Sequence, residues 1–107
     1  MPRRFPVTLK RIRLLAAQRN VRFTLKAQQE LAGLGWGFDA EDACQMLKSL
    51  TSRDFAGRLV SKITGEWMYV FKPSVSGVVL YIKLVLRNSC LVVSFHEDTG
   101  EEHEEDF

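Results

Sequence analysis

The sequence predicts an α+β fold, in which about three N-terminal helices pack on a C-terminal antiparallel sheet of about four strands. Two observations lead to this prediction. Apolar residues recur at helical spacing up to about residue 50, and from Phe55 onward they alternate with a period of two. The length of 107 residues fits one domain with one core. We assign that domain to residues 1–98 and expect the acidic tail, residues 99–107, to be disordered.

The first two helices are predicted from capping residues and apolar spacing. Thr8 is a candidate N-cap for the first helix, and Asn20 is a candidate end. A short extended segment follows. Thr24 can then cap a second helix over residues 25–34, which Gly35 ends.

The third helix has the clearest signal of the three. Asp39 can start it, and Asp42 in the first turn favours the positive end of the helix dipole. The apolar positions that follow keep the i, i+3, i+4, i+7 spacing, namely Ala43, Met46, Leu47 and Leu50.

Four strands are predicted after residue 55, with Pro73 breaking the run because proline cannot donate to a ladder. In the last hairpin, "VLYIKLVLRNSCLVVSFHED", a two-residue turn at Asn88 and Ser89 sets the register. The predicted cross-strand pairs are Arg87 with Cys90, Lys83 with Ser94, and Tyr81 with His96. This register leaves Leu91, Val93 and Phe95 on the apolar face, and Cys90 and Val92 on the outward face.

The outward face of this sheet is predicted to be basic. A three-residue loop in the preceding hairpin places Arg58 near Lys72 and Lys62 near Met68. Like charges opposed on a sheet are destabilising, so a face that tolerates them is suited to holding phosphate. The predicted face carries Arg58, Lys62, Lys72, Lys83 and Arg87, together with Tyr81 and His96.

The overall charge supports a polyanionic partner. Residues 1–96 carry all 15 Lys and Arg but only six of the 13 Asp and Glu, whereas residues 97–107 carry the other seven. The net charge of +2 hides this division. The tail either solubilises the domain or lies over the basic face and competes with nucleic acid.

These residue types fit cleavage of RNA without a metal ion. The reaction needs a base for the 2′-hydroxyl, cations for the charge that builds on the phosphorane, and an acid for the leaving 5′-oxygen. His96 can exchange a proton near neutral pH, and Lys and Arg supply charge. Metal-ligand signals are poor, since His96 and His103 are dispersed and the body has no Cys/His or carboxylate cluster. We predict no metal and no cofactor.

Other classes of protein are disfavoured. No apolar run approaches the ~20 residues of a membrane span, and the basic N-terminus makes a poor secretion signal. Cys44 and Cys90 form no CxxC pair, so we expect reduced thiols and a cytoplasmic location.

Several stretches resemble the MqsR family of bacterial toxins. They are "AAQRNVRFT", "GFDAEDACQMLKSLTSRDF", "WMYVFKP", "SGVVLYIKL" and "LVVSFHED", and their order, spacing and length agree together. The resemblance implies a RelE-like fold and a metal-independent endoribonuclease that cuts mRNA, free or on the ribosome. It also implies neutralisation by an antitoxin protein encoded beside the toxin.

The resemblance carries over only some of the family's functional residues. Tyr81 and Lys83 match family sheet residues, and Tyr81 is at a functional position. His96 stands where a functional lysine is expected. A second functional lysine falls near Gly57, beside Arg58, and a functional glutamine is replaced by Met68. The chain therefore uses His96 as its acid or base, or prefers different RNA, or is inactive.

Two other functions fit the same residues. A non-catalytic module that binds RNA or DNA would bind without cleaving, with affinity that falls as salt rises. A protein-interaction domain, such as an immunity or adaptor protein, would bind RNA weakly and dock a partner on its helices.

Overall fold

The computed structural model describes residues 5–100, so the tail predicted at residues 99–107 lies almost entirely outside the described residues. The helices are α1 (Phe5–Ala17), α2 (Leu25–Gly33) and α3 (Ala40–Lys48). A 3₁₀ turn spans Ser52–Asp54. The strands are β1 (Val21–Phe23), β2 (Phe55–Val60), β3 (Trp67–Phe71), β4 (Ser74–Val75), β5 (Val78–Leu86) and β6 (Cys90–Glu97).

The α+β prediction is confirmed, although the sheet has more strands than predicted. Its order is β1-β6-β5-β3-β2, and the short β4 pairs with β5. The additional edge strand is β1, which runs parallel to β6 and makes the sheet mixed. Val21 and Phe23 pack against the core and Arg22 is exposed, so this three-residue segment has the alternation of a strand.

Helix caps in the structure follow the sequence closely. The Thr24 hydroxyl accepts a hydrogen bond from the Ala27 N–H at 3.1 Å. Asp39 and Asp42 form a reciprocal capping box, with bonds of 2.9 and 3.0 Å. The prediction for α1 is wrong at its start, because the helix begins at Phe5, ahead of Thr8.

All three helices pack on one face of the sheet. Leu9, Ile12 and Leu15 of α1 join residues of the other helices in a buried core. The sheet contributes Phe71, Leu80, Ile82, Leu84, Cys90, Val92 and Phe95 to this core. Burying each large apolar side chain stabilises the fold by roughly 1.5–3 kcal/mol. We call the opposite side of the sheet the far face; it carries Met68, Val70, Tyr81, Lys83, Val85, Leu91, Val93, Ser94 and His96.

A β-bulge at Val93 corrects the predicted hairpin. Lys83 pairs with Ser94, but the next pair is Leu84 with Val92, so Val93 is the extra residue. The predicted pair of Arg87 with Cys90 is wrong, because Leu86 pairs with Cys90 and the turn spans residues 87–89. Cys90 and Val92 therefore face the helices, whereas Leu91 and Val93 lie on the far face.

Candidate functional site

The far face carries an aromatic pair at the centre of the candidate site. Tyr81 on β5 pairs with His96 on β6, as the sequence predicts. Their rings stack, with centroids 5.1 Å apart and planes 11° from parallel. Tyr81 is 5% exposed and His96 is half-buried. A phenol and an imidazole in contact give the site two groups that handle protons.

Two lysines lie close to the Tyr81 ring of this pair. Lys83 is 0% exposed, and its Nζ is 5.9 Å from the centroid of the Tyr81 ring. Lys72 follows β3 directly; its Nζ is 5.8 Å from the same centroid and 3.5 Å from the carboxylate of Asp98. The Tyr81 ring therefore has two positively charged side chains near it, one on β5 and one directly after β3.

Helix α2 adds two residues that sequence reasoning missed. Lys26 and Glu30 form an i,i+4 ion pair at 3.2 Å. The Lys26 ammonium also donates to the Ser94 hydroxyl at 3.1 Å, and Glu30 Oε2 is 3.9 Å from His96 Nε2. The buried Ala27 and Leu31 orient α2, and Lys26 and Glu30 precede them by one position each. The i,i+4 spacing of Lys26 and Glu30 could have indicated that both lie on one side of α2. The same spacing is also typical of an ordinary solvent-exposed helix surface.

The hydrogen bond at Nδ1 defines the chemistry of His96. Nδ1 lies 2.8 Å from the carbonyl oxygen of Glu97. A carbonyl oxygen only accepts hydrogen bonds, so Nδ1 carries a proton in this geometry. Nε2 is then the nitrogen that gains or loses a proton during a reaction.

A cavity of about 150 Å³ lies beside Tyr81. A second bulge, at Ala56, separates the pair Phe55–Phe71 from the pair Gly57–Val70 and shapes its wall. Gly57 has a φ of +140°, a conformation that strains any residue with a side chain. The position where the resemblance expects a functional lysine therefore carries no side chain. The cavity is lined by Ala56, Gly57, Arg58, Leu59, Val70 and Tyr81.

Three of the seven predicted site residues do not contact the aromatic pair in the predicted way, although Arg58 lines the cavity beside Tyr81. The loop after β2 has six residues, not three, so Lys62 is exposed in that loop, beyond the strand. Arg58 pairs with Tyr69, and its guanidinium stacks 4.0 Å from the centroid of Trp67 on the helical side of the sheet. The predicted neighbours Lys62–Met68 and Arg58–Lys72 are therefore wrong, since Leu59 pairs with Met68.

Arg87 is also remote from the aromatic pair. It follows β5 directly, six residues after Tyr81, which corresponds to roughly 20 Å along a strand. Its guanidinium binds both carboxylate oxygens of Glu66, at 2.9 and 2.6 Å. This hydrogen bonding holds the pKa of the Glu66 carboxyl below its usual range. The residues that the fold brings together are therefore Tyr81, His96, Lys83 and Lys72, joined by Lys26 and Glu30.

Other potentially reactive groups in the described residues are sequestered. Cys44 and Cys90 are buried free thiols, and burial raises the pKa of Cys90 to about 12. Residues 5–100 contain no group of three His, Cys, Asp or Glu side chains that could hold a metal ion; His103 lies outside this range. Within the same range no helix has the length and apolar character needed to cross a membrane.

Comparison with known proteins identifies the family. No curated protein matches the chain. Residues 6–97 match the profile of the family described as "Motility quorum-sensing regulator, toxin of MqsA". The match covers most of the 107 residues and confirms the resemblance inferred from the sequence. The chain therefore belongs to the MqsR toxin family.

Proposed function

We propose that this toxin is a metal-independent endoribonuclease that cleaves mRNA and so inhibits translation. Family membership supplies the toxin role and implies an antitoxin partner. The observation that supports the ribonuclease activity is the Tyr81–His96 stack flanked by the ammonium groups of Lys72 and Lys83. With mRNA as the substrate, the toxin would act in the cytoplasm.

Each of these side chains has a role in the proposed reaction. The RNA 2′-hydroxyl gives its proton to a water molecule as its oxygen attacks the phosphorus on the adjacent 3′-oxygen, the P–O5′ bond breaks, and a 2′,3′-cyclic phosphate forms. Protonated His96 gives the Nε2 proton to the leaving 5′-oxygen. Lys72 neutralises charge on the phosphorane, the buried Lys83 adds to that field, and the Tyr81 hydroxyl donates to a phosphate oxygen. The cavity beside Tyr81 offers space for the neighbouring ribose.

Purified protein with a mixed-sequence RNA in excess EDTA tests the proposal. Wild type should leave 2′,3′-cyclic or 3′-phosphate ends, which enzymatic end-mapping identifies. The His96→Ala variant should be slower by ~10²–10⁴-fold, as is typical when a general acid or base is lost. Wild-type rates in His96→Ala would remove His96 from the mechanism, and loss of wild-type cleavage in EDTA would exclude a metal-free reaction.

Arg87→Ala is a matched control, because it removes a cation remote from the aromatic pair. Its cleavage rate should stay close to that of wild type. Repeating the assay in a translation extract separates an enzyme that requires the ribosome from one that does not cleave.

Binding of RNA without cleavage is the second candidate function. Met68, at the position of a family functional glutamine, is 4% exposed and packs with Val85 and Val93. A methionine side chain has no amide group, so this position cannot make the hydrogen bonds to a substrate that a glutamine would make. This candidate predicts saturable RNA binding, weakened by salt, with intact RNA in both buffer and translation extract.

For the antitoxin, we propose docking on the hairpin of β2 and β3. The edge strand β2 and the loop after it expose large apolar side chains close together in the sequence, including Leu59 and Ile63, which is 61% exposed, and an exposed apolar sheet edge is suited to docking another chain. Leu59→Asp with Ile63→Asp should weaken the complex with the antitoxin in co-purification. Leu25→Asp, an exposed apolar position on α2, is the control and should leave the complex intact.

A further inference from the structure

We infer that Glu30 is a positioning residue for His96, and that Lys26 holds Glu30 in place. The inference rests on the proposed ribonuclease function and extends the site from the sheet to α2. Neither residue belongs to the set that the sequence predicts for this site.

The position of Glu30 is fixed by the backbone of β6. Strand β1 pairs with residues 90–92 of β6, and the part of the chain that the structure describes provides no strand neighbour for the rest of that edge. The β1–β6 ladder ends where the N–H of Thr24 donates to the Val92 carbonyl at 3.1 Å, and helix α2 begins at the next residue, Leu25. Further along the edge, Glu30 Oε1 accepts from the Phe95 N–H at 3.1 Å. A backbone bond of this kind locates the carboxylate beside the next residue, His96.

Lys26 holds the second carboxylate oxygen. Its Nζ is 3.2 Å from Glu30 Oε2 and 3.1 Å from the Ser94 hydroxyl. Ser94 is itself 0% exposed and pairs with Lys83. Glu30 is therefore held at both oxygens, by β6 and by its own helix.

The imidazole of His96 is constrained on three sides. The Tyr81 ring stacks on its face, the Glu97 carbonyl holds Nδ1, and Glu30 Oε2 lies 3.9 Å from Nε2. That distance is too long for a direct hydrogen bond. Glu30 therefore acts on His96 through its charge, as the partner of an ion pair when Nε2 is protonated. Nε2 keeps its hydrogen-bonding capacity for the leaving 5′-oxygen.

Glu30→Gln separates this role from a structural one. The amide oxygen still accepts from the Phe95 N–H, but the charge facing Nε2 is gone. We expect kcat to fall by roughly 10- to 100-fold, the scale of a misplaced catalytic group, while KM stays unchanged. In a His96→Ala background the same substitution should have no further effect, because the two residues act together.

The control is Glu41→Gln, which removes an exposed carboxylate of α3 that binds Arg19 at 2.6 Å. It should leave kcat unchanged. An equal loss of kcat from Glu30→Gln with and without His96 would overturn the inference, since Glu30 would then act independently of His96.

Nitrogen-15 spectra of the His96 ring keep this test independent of activity. Glu30→Gln should move the Nε2 resonance, and Glu41→Gln should not. If wild type fails to cleave any RNA, the proposed function is wrong, and the spectra still decide whether Glu30 and His96 are coupled. An unmoved Nε2 resonance overturns the inference even for an active enzyme.

Discussion

Lys83→Met is expected to make the protein more stable and less active. Lys83 is 0% exposed, between Val70 on β3 and Ser94 on β6. Keeping an ammonium group out of water carries an effective penalty of several kcal/mol, which its neighbours offset in part. Methionine has a similar length and no charge, and the Ser94 hydroxyl keeps its bond from Lys26. The desolvation penalty of a buried charge can exceed the attraction that its neighbours return, and on that balance we expect a gain of about 1–3 kcal/mol in unfolding free energy.

This gain is large enough to measure as a change in melting temperature. An unfolding entropy of about 2.1 cal/mol/K per residue, over 107 residues, gives about 0.22 kcal/mol/K. The melting temperature of Lys83→Met should therefore rise by roughly 4–13 °C. RNA cleavage by the same sample should fall by about 100-fold or more, the scale on which one preorganised charge acts.

Lys72→Met is the matched control for stability. Lys72 is half-buried and paired with Asp98 at 3.5 Å, so its removal should change the unfolding free energy by less than about 1 kcal/mol. A Lys83→Met protein that unfolds at a lower temperature than wild type would refute the reasoning, since the ammonium would then be a net stabiliser. Full cleavage activity in that variant would remove Lys83 from the site.

Three further predictions concern the thiols and the acidic end of the chain. Burial raises the pKa of Cys90 to about 12, so little of this thiol is ionised at pH 8. A thiol reagent should therefore label Cys90 only as fast as the protein unfolds. Faster labelling of the folded protein would contradict this prediction. Asp98→Asn removes the carboxylate beside Lys72, so it should tighten RNA binding in a fluorescence titration, whereas weaker binding would show that Asp98 orders the site. Truncation after Asp98 should likewise tighten binding if the tail competes for the basic surface, and unchanged affinity would exclude that competition.

Local signals made the helices predictable. Thr24 and Asp39 form their capping bonds with residues only three positions away, so the sequence contains both partners. The parallel pairing of β1 with β6 joins residues almost 70 positions apart. Nothing near Val21 in the sequence specifies that partner, and the strand was therefore read only as an extended segment.

The Tyr81–His96 pair was predicted correctly because two departures from the assumed hairpin cancel. The turn contains one residue more than assumed, which shifts Cys90 from Arg87 to Leu86. The bulge at Val93 adds one residue to β6 and so restores the predicted register from Ser94 onward. Periodicity alone cannot locate such a bulge, since both Val92 and Val93 are apolar and buried.

Glu30 and Lys26 were missed for a different reason. Their contacts run between a helix and the uncovered edge of β6, and they depend on where β1 stops. The sequence also predicted too many cations at the Tyr81–His96 site. The positions of Arg58 and Lys62 depend on the length of the loop between β2 and β3, which the sequence leaves open.

The revised charge distribution makes a quantitative prediction about salt. The sequence places five cations on one face, which corresponds to a slope near −3.5 for log affinity against log salt on single-stranded RNA, at about −0.7 per phosphate. Among residues 5–100, the ammonium groups of Lys72 and Lys83 lie 5.8 and 5.9 Å from the centroid of the Tyr81 ring, and Asp98 already pairs with Lys72. Arg58 lines the adjacent cavity but stacks on Trp67. The buried Lys83 cannot exchange counterions with solvent in the manner of a surface lysine. We therefore expect a slope between about −0.7 and −1.4, and Lys72→Ala should reduce it by about 0.7. A measured slope near −3.5 would mean that RNA reaches the arginines outside the Tyr81–His96 site, and that binding extends well beyond the residues assigned to cleavage.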